Sequence, residues 1–247
     1  MARRIAVLGG AGGIGRALVA RLSAEGAALA VLDLPASLAR HPVPAGIPAI
    51  PVDLADIDGT ATAFARLAEL FPALDGFVNL AGFASDREPL AGVSAAVFDA
   101  VMAGNLRGTL LAAQHALPLL ARGEGGSLVN TASGLAQNVR TGYGPYAIAK
   151  AGIIAMTKTL ALEAAPAVRV NAVCPGAVDT AFLRGGTGRS DEANAPVLDL
   201  SAYTAAIPMG RLATPEDVVG PICFLLSGNS GYITGQCLWI NGGGYMP

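Results

Sequence analysis

The stretch RIAVLGGAGGIGRALVARLSA, residues 4–24, joins two different hydrophobic periods across one glycine-rich turn. Residues 4–8 form a short apolar run that stops at glycines, the mark of a strand. Residues 14–24 carry apolar side chains at helical spacing. Gly9, Gly12, Gly13, Ile14 and Gly15 therefore make a strand-to-helix turn. Glycines permit the tight bend and let a phosphate-bearing group approach backbone N–H groups at the positive end of the helix. A glycine-rich turn standing alone is more often just a turn, so its meaning rests on the residues downstream of it. A second strand, residues 28–32, ends at Asp33, 18 residues after Gly15. A carboxylate there can accept hydrogen bonds from ribose hydroxyls and repels a 2′-phosphate, which predicts NAD in preference to NADP. No arginine or lysine stands within residues 9–15 or directly after Asp33, although Arg40 is close along the chain.

The same rhythm continues outward. Residues 57–70, 95–120 and 146–163 read as helices, alternating with apolar strands at 76–80, 127–130 and 168–173. Between Asp33 and Asp53, Pro35, Pro42, Pro44, Pro48 and Pro51 leave little room for a full helix, so a trimmed loop is expected. Strand and helix alternation with fully apolar strands implies an α/β fold. The expectation is a parallel sheet with helices on both faces and ligands at the carboxyl ends of the strands. The even composition of the 247 residues points to one domain over 1–247.

Composition excludes several partners. Apolar residues are 53 % of the chain, charged residues 14 %, and the net charge is -2, so neither nucleic acid nor an anionic membrane is expected. Every apolar run is broken well short of the ~20 residues of a membrane span. Only four apolar residues separate Arg4 from Gly9, too few for a secretory core, which gives a cytoplasmic expectation. Cys174, Cys223 and Cys237 have no metal-ligand spacing; they are expected to be buried, reduced and inert, with no metal site.

A chemical centre is visible further along. Tyr146 and Lys150 lie four apart in TGYGPYAIAK, and Ser133 precedes the tyrosine by thirteen residues. On a helix, i and i+4 stack on one face, so the ammonium can lie beside the phenol. An unperturbed tyrosine titrates near ~10, and a neighbouring cation favours its phenolate, so the pair can exchange protons nearer neutrality.

Together the glycine turn, Asn79 to Gly82, Asn105, Ser133, Tyr146-x-x-x-Lys150 and Pro175-Gly176 occur in an order that resembles the short-chain dehydrogenase/reductase family, in its single-domain branch of about 250 residues. The resemblance covers essentially the whole chain, including the tail GRLATPEDVV…YITGQCLWINGG. It implies a Rossmann-type doubly wound fold with a seven-stranded parallel sheet, a nicotinamide cofactor and interconversion of an alcohol and a ketone or aldehyde. It further implies Tyr146 as proton donor and acceptor, and Lys150 as the group that binds the nicotinamide ribose and lowers the tyrosine pKa. Ser133 is the implied substrate-orienting hydroxyl, and Asn105 the holder of a water linking Lys150 to solvent. Cofactor contacts are implied at Asn79, Ala81 and Gly82, at Asp53 and Leu54 beside adenine, and at Pro175, Gly176, Val178 and Thr180 beside the carboxamide.

Three departures from the family pattern stand out. Leu8 and Leu80 replace a usual threonine and asparagine that tie the cofactor-side loops together, and the trimmed segment after Asp33 is expected to leave the adenine end more open. Residues 177–209 lack a clear period and read as a mobile lid. The substrate pocket is expected to draw on residues 83–87 and 135–142, with Leu135, Arg140, Tyr143 and Arg184 as its named candidates. Arg140 or Arg184 could meet a carboxylate. Tyr143 stands seven residues before Lys150, a spacing found in a divergent enoyl-reductase branch of the family. That alternative would reduce a C=C bond, and a non-catalytic dinucleotide sensor or scaffold is a further one. The family's habit of forming homotetramers makes self-association, with a tetramer favoured, the expected assembly beside a small alcohol or carbonyl substrate.

Overall fold

A computed structural model describes residues 2–196 and 198–247 of the protein. Seven strands form a single sheet in the order β3-β2-β1-β4-β5-β6-β7. They are β1 (Arg4–Leu8), β2 (Ala28–Asp33), β3 (Ala49–Pro51), β4 (Gly76–Asn79), β5 (Gly126–Thr131), β6 (Val168–Pro175) and β7 (Cys237–Ile240). Every neighbouring pair is parallel. Parallel neighbours need crossovers, and these are helices α1 (Gly13–Ala24), α2 (Pro35–Arg40), α3 (Ile57–Leu70), α4 (Ala95–Val101), α5 (Gly108–Leu120), α6 (Gly144–Ala164), α7 (Leu200–Ala205) and α8 (Pro215–Leu226).

The period of two along β1 sorts its side chains between the two faces. Ile5 and Val7 join Leu18 and Leu22 of α1 and Val218, Ile222 and Leu225 of α8. Ala6 and Leu8 join Phe64 and Leu67 of α3 and Ala112, Ala116 and Leu120 of α5. Both faces are covered, which is why the strands read as continuous apolar runs. The chain runs outward from β1 to β3, crosses to the other side of β1 and runs outward again from β4 to β7, so the order reverses between β1 and β4 and opens a crevice at their carboxyl ends.

Most of the expected elements are present, with 57–70 matching α3 at both ends. Four expectations change. The segment after Asp33 forms the six-residue α2, because Pro35 stands in its first turn, where a missing N–H costs nothing. The single helix expected over 95–120 is split by a π-helical stretch, Met102–Arg107, that contains Asn105. The lid over 177–209 is not uniformly irregular: a 3₁₀ turn, Ala181–Arg184, and α7 lie within it, while Val197 falls outside the described residues. Of the three cysteines, all free, only Cys174 is buried; Cys223 and Cys237 are half-buried.

One carboxylate pins the amino-terminal edge of the sheet. Asp75, just before β4, accepts from the Arg4 backbone N–H at 2.8 Å, the Arg4 Nε at 3.1 Å and a second guanidinium nitrogen at 2.8 Å. The Glu124 amide donates to it at 3.1 Å. Asp75 thus links the starts of β1, β4 and β5. Burial alone would raise its pKa, but the Arg4 guanidinium and the two amides outweigh burial and hold it down at about 2. Replacing Asp75 by Asn should cost about 1–3 kcal/mol at pH 7, lowering Tm by roughly 3–10 °C. Because the folded pKa is depressed, this contribution is present above the unfolded aspartate value and is lost as pH falls from ~4 through about 2. Urea unfolding of both proteins at pH 7 and pH 3 checks it; an equal gap at both pH values would show that the clamp is not ionic.

Candidate active site

A cavity of about 800 Å³ follows the crevice from Asp33, past the glycine turn, to Tyr146 and Lys150, and ends under residues of the 177–209 segment. Gly9 sets its floor. Its φ of +81° is left-handed, and a Cβ there would lie 2.8 Å from both the Ala81 nitrogen and the Leu80 carbonyl carbon. Only glycine lets β1 and β4 end this close together. Leu8 and Leu80 do not leave the loops untied: the Leu80 N–H donates to the Leu8 carbonyl at 2.8 Å. Asn79 adds side-chain bonds, accepting from the Ala81 N–H at 3.0 Å and donating to the Thr109 hydroxyl at 3.1 Å.

The amino end of α1 is built to receive an anion. Gly12 is its N-cap with no side-chain cap, no acidic residue stands in the first turn, and Gly12 to Gly15 line the cavity. Thr180 crosses from the segment after β6 to Gly13, where a Cβ would meet its methyl at 2.5 Å. Asp33, 9 % exposed, accepts from the Ala11 N–H at 2.8 Å and the Leu34 N–H at 2.7 Å. Burial raises its pKa, against the pull of those two amides. Asp53, Leu54, Ala81, Gly82, Pro175, Gly176 and Val178 line the same cavity. These residues fit a nicotinamide dinucleotide, with an uncapped helix end for its phosphates and a carboxylate for its ribose.

Tyr146, Ser133 and Lys150 converge at the other end. Tyr146 and Lys150 share α6, one turn apart, with the ammonium 5.5 Å from the phenol ring centroid. Lys150 Nζ donates to the Thr131 carbonyl at 2.8 Å. Gly82 makes room for it, since a Cβ there would stand 3.0 Å from Nζ. Ser133 Oγ accepts from the Leu135 N–H at 3.1 Å. Burial pushes the Tyr146 phenol far up, with Ser133 working against burial and Tyr143 with it. Both groups are buried and the Lys150 ammonium is turned to a carbonyl, so desolvation of the phenolate is the largest influence on Tyr146. Burial likewise lowers Lys150 to about 8, opposed by Cys174.

Asn105 is fully buried with its amide occupied. It accepts from the Phe83 N–H at 3.1 Å and donates to the carbonyls of Phe83 at 3.0 Å and Val101 at 2.9 Å. Its side chain fixes the Phe83 wall of the cavity; both amide hydrogens are used on backbone, leaving neither for a water.

Of the substrate-side candidates, Leu135, Arg140, Tyr143 and Arg184 all line the cavity. Tyr143 is the N-cap residue of α6 and lies under the Arg87 guanidinium, 5.0 Å from its ring centroid. Arg184 already pairs with Asp179 at 3.7 Å, whereas Arg140 is exposed at the rim. Three lining aromatics escaped sequence reading. Phe182 packs on Tyr146 with centroids 5.8 Å apart, the Tyr203 hydroxyl accepts from the Ala177 N–H at 2.9 Å, and Tyr245 donates to Gln137 at 3.2 Å. They come from separate segments with no motif of their own. Among the described residues no cluster of metal-ligating side chains occurs, and no helix is long and apolar enough to cross a membrane.

Fold and site together define a dinucleotide-binding oxidoreductase of Rossmann type. A family model described as "Enoyl-(Acyl carrier protein) reductase" matches residues 9–245. Cis-4-hydroxycyclohexanecarboxylate dehydrogenase of Sinomonas cyclohexanicum is 34 % identical over 98 % of this chain and 96 % of its own. Levodione reductase of Leifsonia aquatica is 32 % identical over 98 % and 93 %. The solved 3-ketoacyl-(acyl-carrier-protein) reductase from Brucella melitensis, complexed with NADH, superposes with a TM-score of 0.87 at 26 % identity, covering 99 % of this chain and 98 % of that one. The chain belongs to the short-chain dehydrogenase/reductase family.

The buried lysine gives a stability signature. A lowered folded pKa means the unfolded chain binds more protons between about 8 and the unfolded value of 10.5. Wild type should therefore gain stability over Lys150→Met as pH rises through that window, with a slope of up to ~1.4 kcal/mol per pH unit. Denaturant unfolding of both cofactor-free proteins at pH 7, 8, 9 and 10 reads the difference; a flat one would show that Lys150 titrates normally in the fold.

Proposed function

We propose that this protein interconverts a secondary alcohol and a ketone, with NAD as coenzyme and Tyr146 as the acid/base. The observation that carries this reading is convergence: Ser133, Tyr146 and Lys150 close one end of a cavity whose other end is the glycine turn and Asp33. A nicotinamide dinucleotide in that cavity supplies the hydride acceptor or donor. In reduction the Tyr146 hydroxyl gives its proton to the substrate oxygen while Ser133 donates a second hydrogen bond to the developing charge. In oxidation the phenolate takes the alcohol proton. Burial keeps Tyr146 protonated at neutral pH, which suits reduction, so the oxidative rate should rise with pH. Lys150 offers its cation to the ribose and to the phenolate.

NAD is favoured because the Asp33 carboxylate, held by the Ala11 and Leu34 amides, occupies the place where a 2′-phosphate would be repelled. The NADH complex of the Brucella relative supports the coenzyme class. Names of the relatives support a substrate among small cyclic or acyl-linked alcohols and ketones. An enoyl reductase working through Tyr143 fits less well, since Tyr146 is the tyrosine with Lys150 over its ring. We assign 1–247 to one catalytic domain acting in the cytoplasm. We infer a homotetramer from the assembly that the family resemblance implies, with exposed apolar side chains such as Leu162, 83 % exposed, as surface it would cover. Light scattering should return about four times 24.7 kDa; a monomer would overturn the assembly.

Absorbance at 340 nm with paired alcohols and ketones should show NAD-linked turnover that Tyr146→Phe reduces by roughly 10²–10⁴-fold. Binding of NADH to that variant should change little. A wild type that binds NADH yet turns over nothing would favour a sensor, and activity with NADP alone would overturn the role of Asp33.

A further inference from the structure

The segment expected as a lid over the substrate also reaches the opposite end of the cavity. Ser37, the α2 residue beside the Asp33 carboxylate, donates to the Thr187 carbonyl at 3.1 Å. Gly188 lies so close that a Cβ would meet Ser37 Oγ at 2.5 Å and its nitrogen at 2.7 Å, at a left-handed φ of +71°. The Arg40 guanidinium donates to the Ser190 carbonyl at 2.9 Å and lies 3.7 Å from the Glu192 carboxylate. His41 Nε2 is 3.1 Å from both Glu192 oxygens. The adenosine end is therefore not left open by the short α2; residues 187–192 cover it.

Arg40 and His41 stand at the end of α2, with Arg40 bonded to Ser190, which lines the cavity as Ser37 does, and one acidic side chain engages both. We propose that Glu192 is a specificity-determining residue: by occupying Arg40 and His41 it withholds them from the 2′-phosphate of NADP and so reinforces NAD selection. This rests on the reading that Asp33 faces the adenosine ribose. The chemistry is direct. A guanidinium that faces a carboxylate is a weaker partner for a phosphate, and the extra negative charge beside it repels the phosphate further. Asp33 refuses the phosphate at the ribose itself; Glu192 engages the Arg40 and His41 side chains that would otherwise offset that refusal.

The test uses full-length wild type, Glu192→Ala, Glu192→Gln and the double variant Arg40→Ala/Glu192→Ala, with NADH and NADPH affinities read from the fluorescence of the bound coenzyme. Glu192→Ala and Glu192→Gln should each tighten NADPH by about tenfold, equivalent to ~1.4 kcal/mol, with NADH changed less than threefold. The double variant should lose most of that gain, because Arg40 is the main cation released. Unchanged NADPH affinity in both single variants overturns the proposal, as does a gain that survives removal of Arg40, which would point to simple opening of the segment. The wild-type ratio is a separate readout. Equal NADH and NADPH affinity there would sink the reading of Asp33, while the shift caused by Glu192 substitution would still decide the role of Glu192.

Discussion

Everything that gives this protein a site depends on how closely the chain packs at Gly9. β1 and β4 are hydrogen-bonded neighbours, yet their outgoing segments turn to opposite faces, α1 to one and the α4–α5 run to the other. The crevice so formed can hold a ligand only if its floor is thin. Gly9 provides that floor by lying against the Leu80–Ala81 peptide at a distance that no Cβ tolerates. Gly15 does the same inside the turn, where a Cβ would come within 2.2 Å of the Gly9 carbonyl oxygen. The turn is thus self-supporting: the Gly9, Gly10 and Gly12 N–H groups donate to backbone carbonyls and that of Ala11 to Asp33, while the first turn of α1 has no side-chain cap.

Burial sets the electrostatics of the chemical end. Desolvation acts oppositely on the two titratable groups, raising the phenol and lowering the ammonium, so each is driven toward its neutral form. A phenolate beside an ammonium would be stabilised by mutual attraction, but the cofactor-free arrangement directs Nζ at the Thr131 carbonyl instead. The buried Thr131 hydroxyl, on the residue whose carbonyl accepts from Lys150, has no hydrogen-bond partner among the described residues.

Local periodicity carried the fold well where packing is local. α3 matches its apolar period at both ends because the helix has one continuous buried stripe and an Asp56 cap bonded to Gly59. The break at 102–107 was hidden because its cause is remote in sequence: the Asn105 amide reaches Phe83, 22 residues away, and Val101. Proline counting overestimated the loss of helix after Asp33, since Pro35 sits where a helix accepts it. Tyr146, Ser133 and Lys150 were legible as a trio by spacing, but the direction of the tyrosine pKa was not, because spacing reports a neighbouring cation and says nothing of burial.

The 177–209 segment shows most clearly what spacing omits. Its glycines and scattered charges look irregular, yet Gly185, Gly186 and Gly188 take left-handed φ values that bend the chain sharply after the 3₁₀ turn. The bends carry it from Phe182, packed on Tyr146, to Thr187 and Glu192, docked on α2. One short piece of chain thereby touches both Tyr146 and the corner that holds Asp33. Both ends of a cavity about 800 Å³ in volume are therefore bordered by one continuous stretch of chain, residues 182–192, so the packing of Phe182 on Tyr146 and the docking of Glu192 on His41 belong to the same short segment.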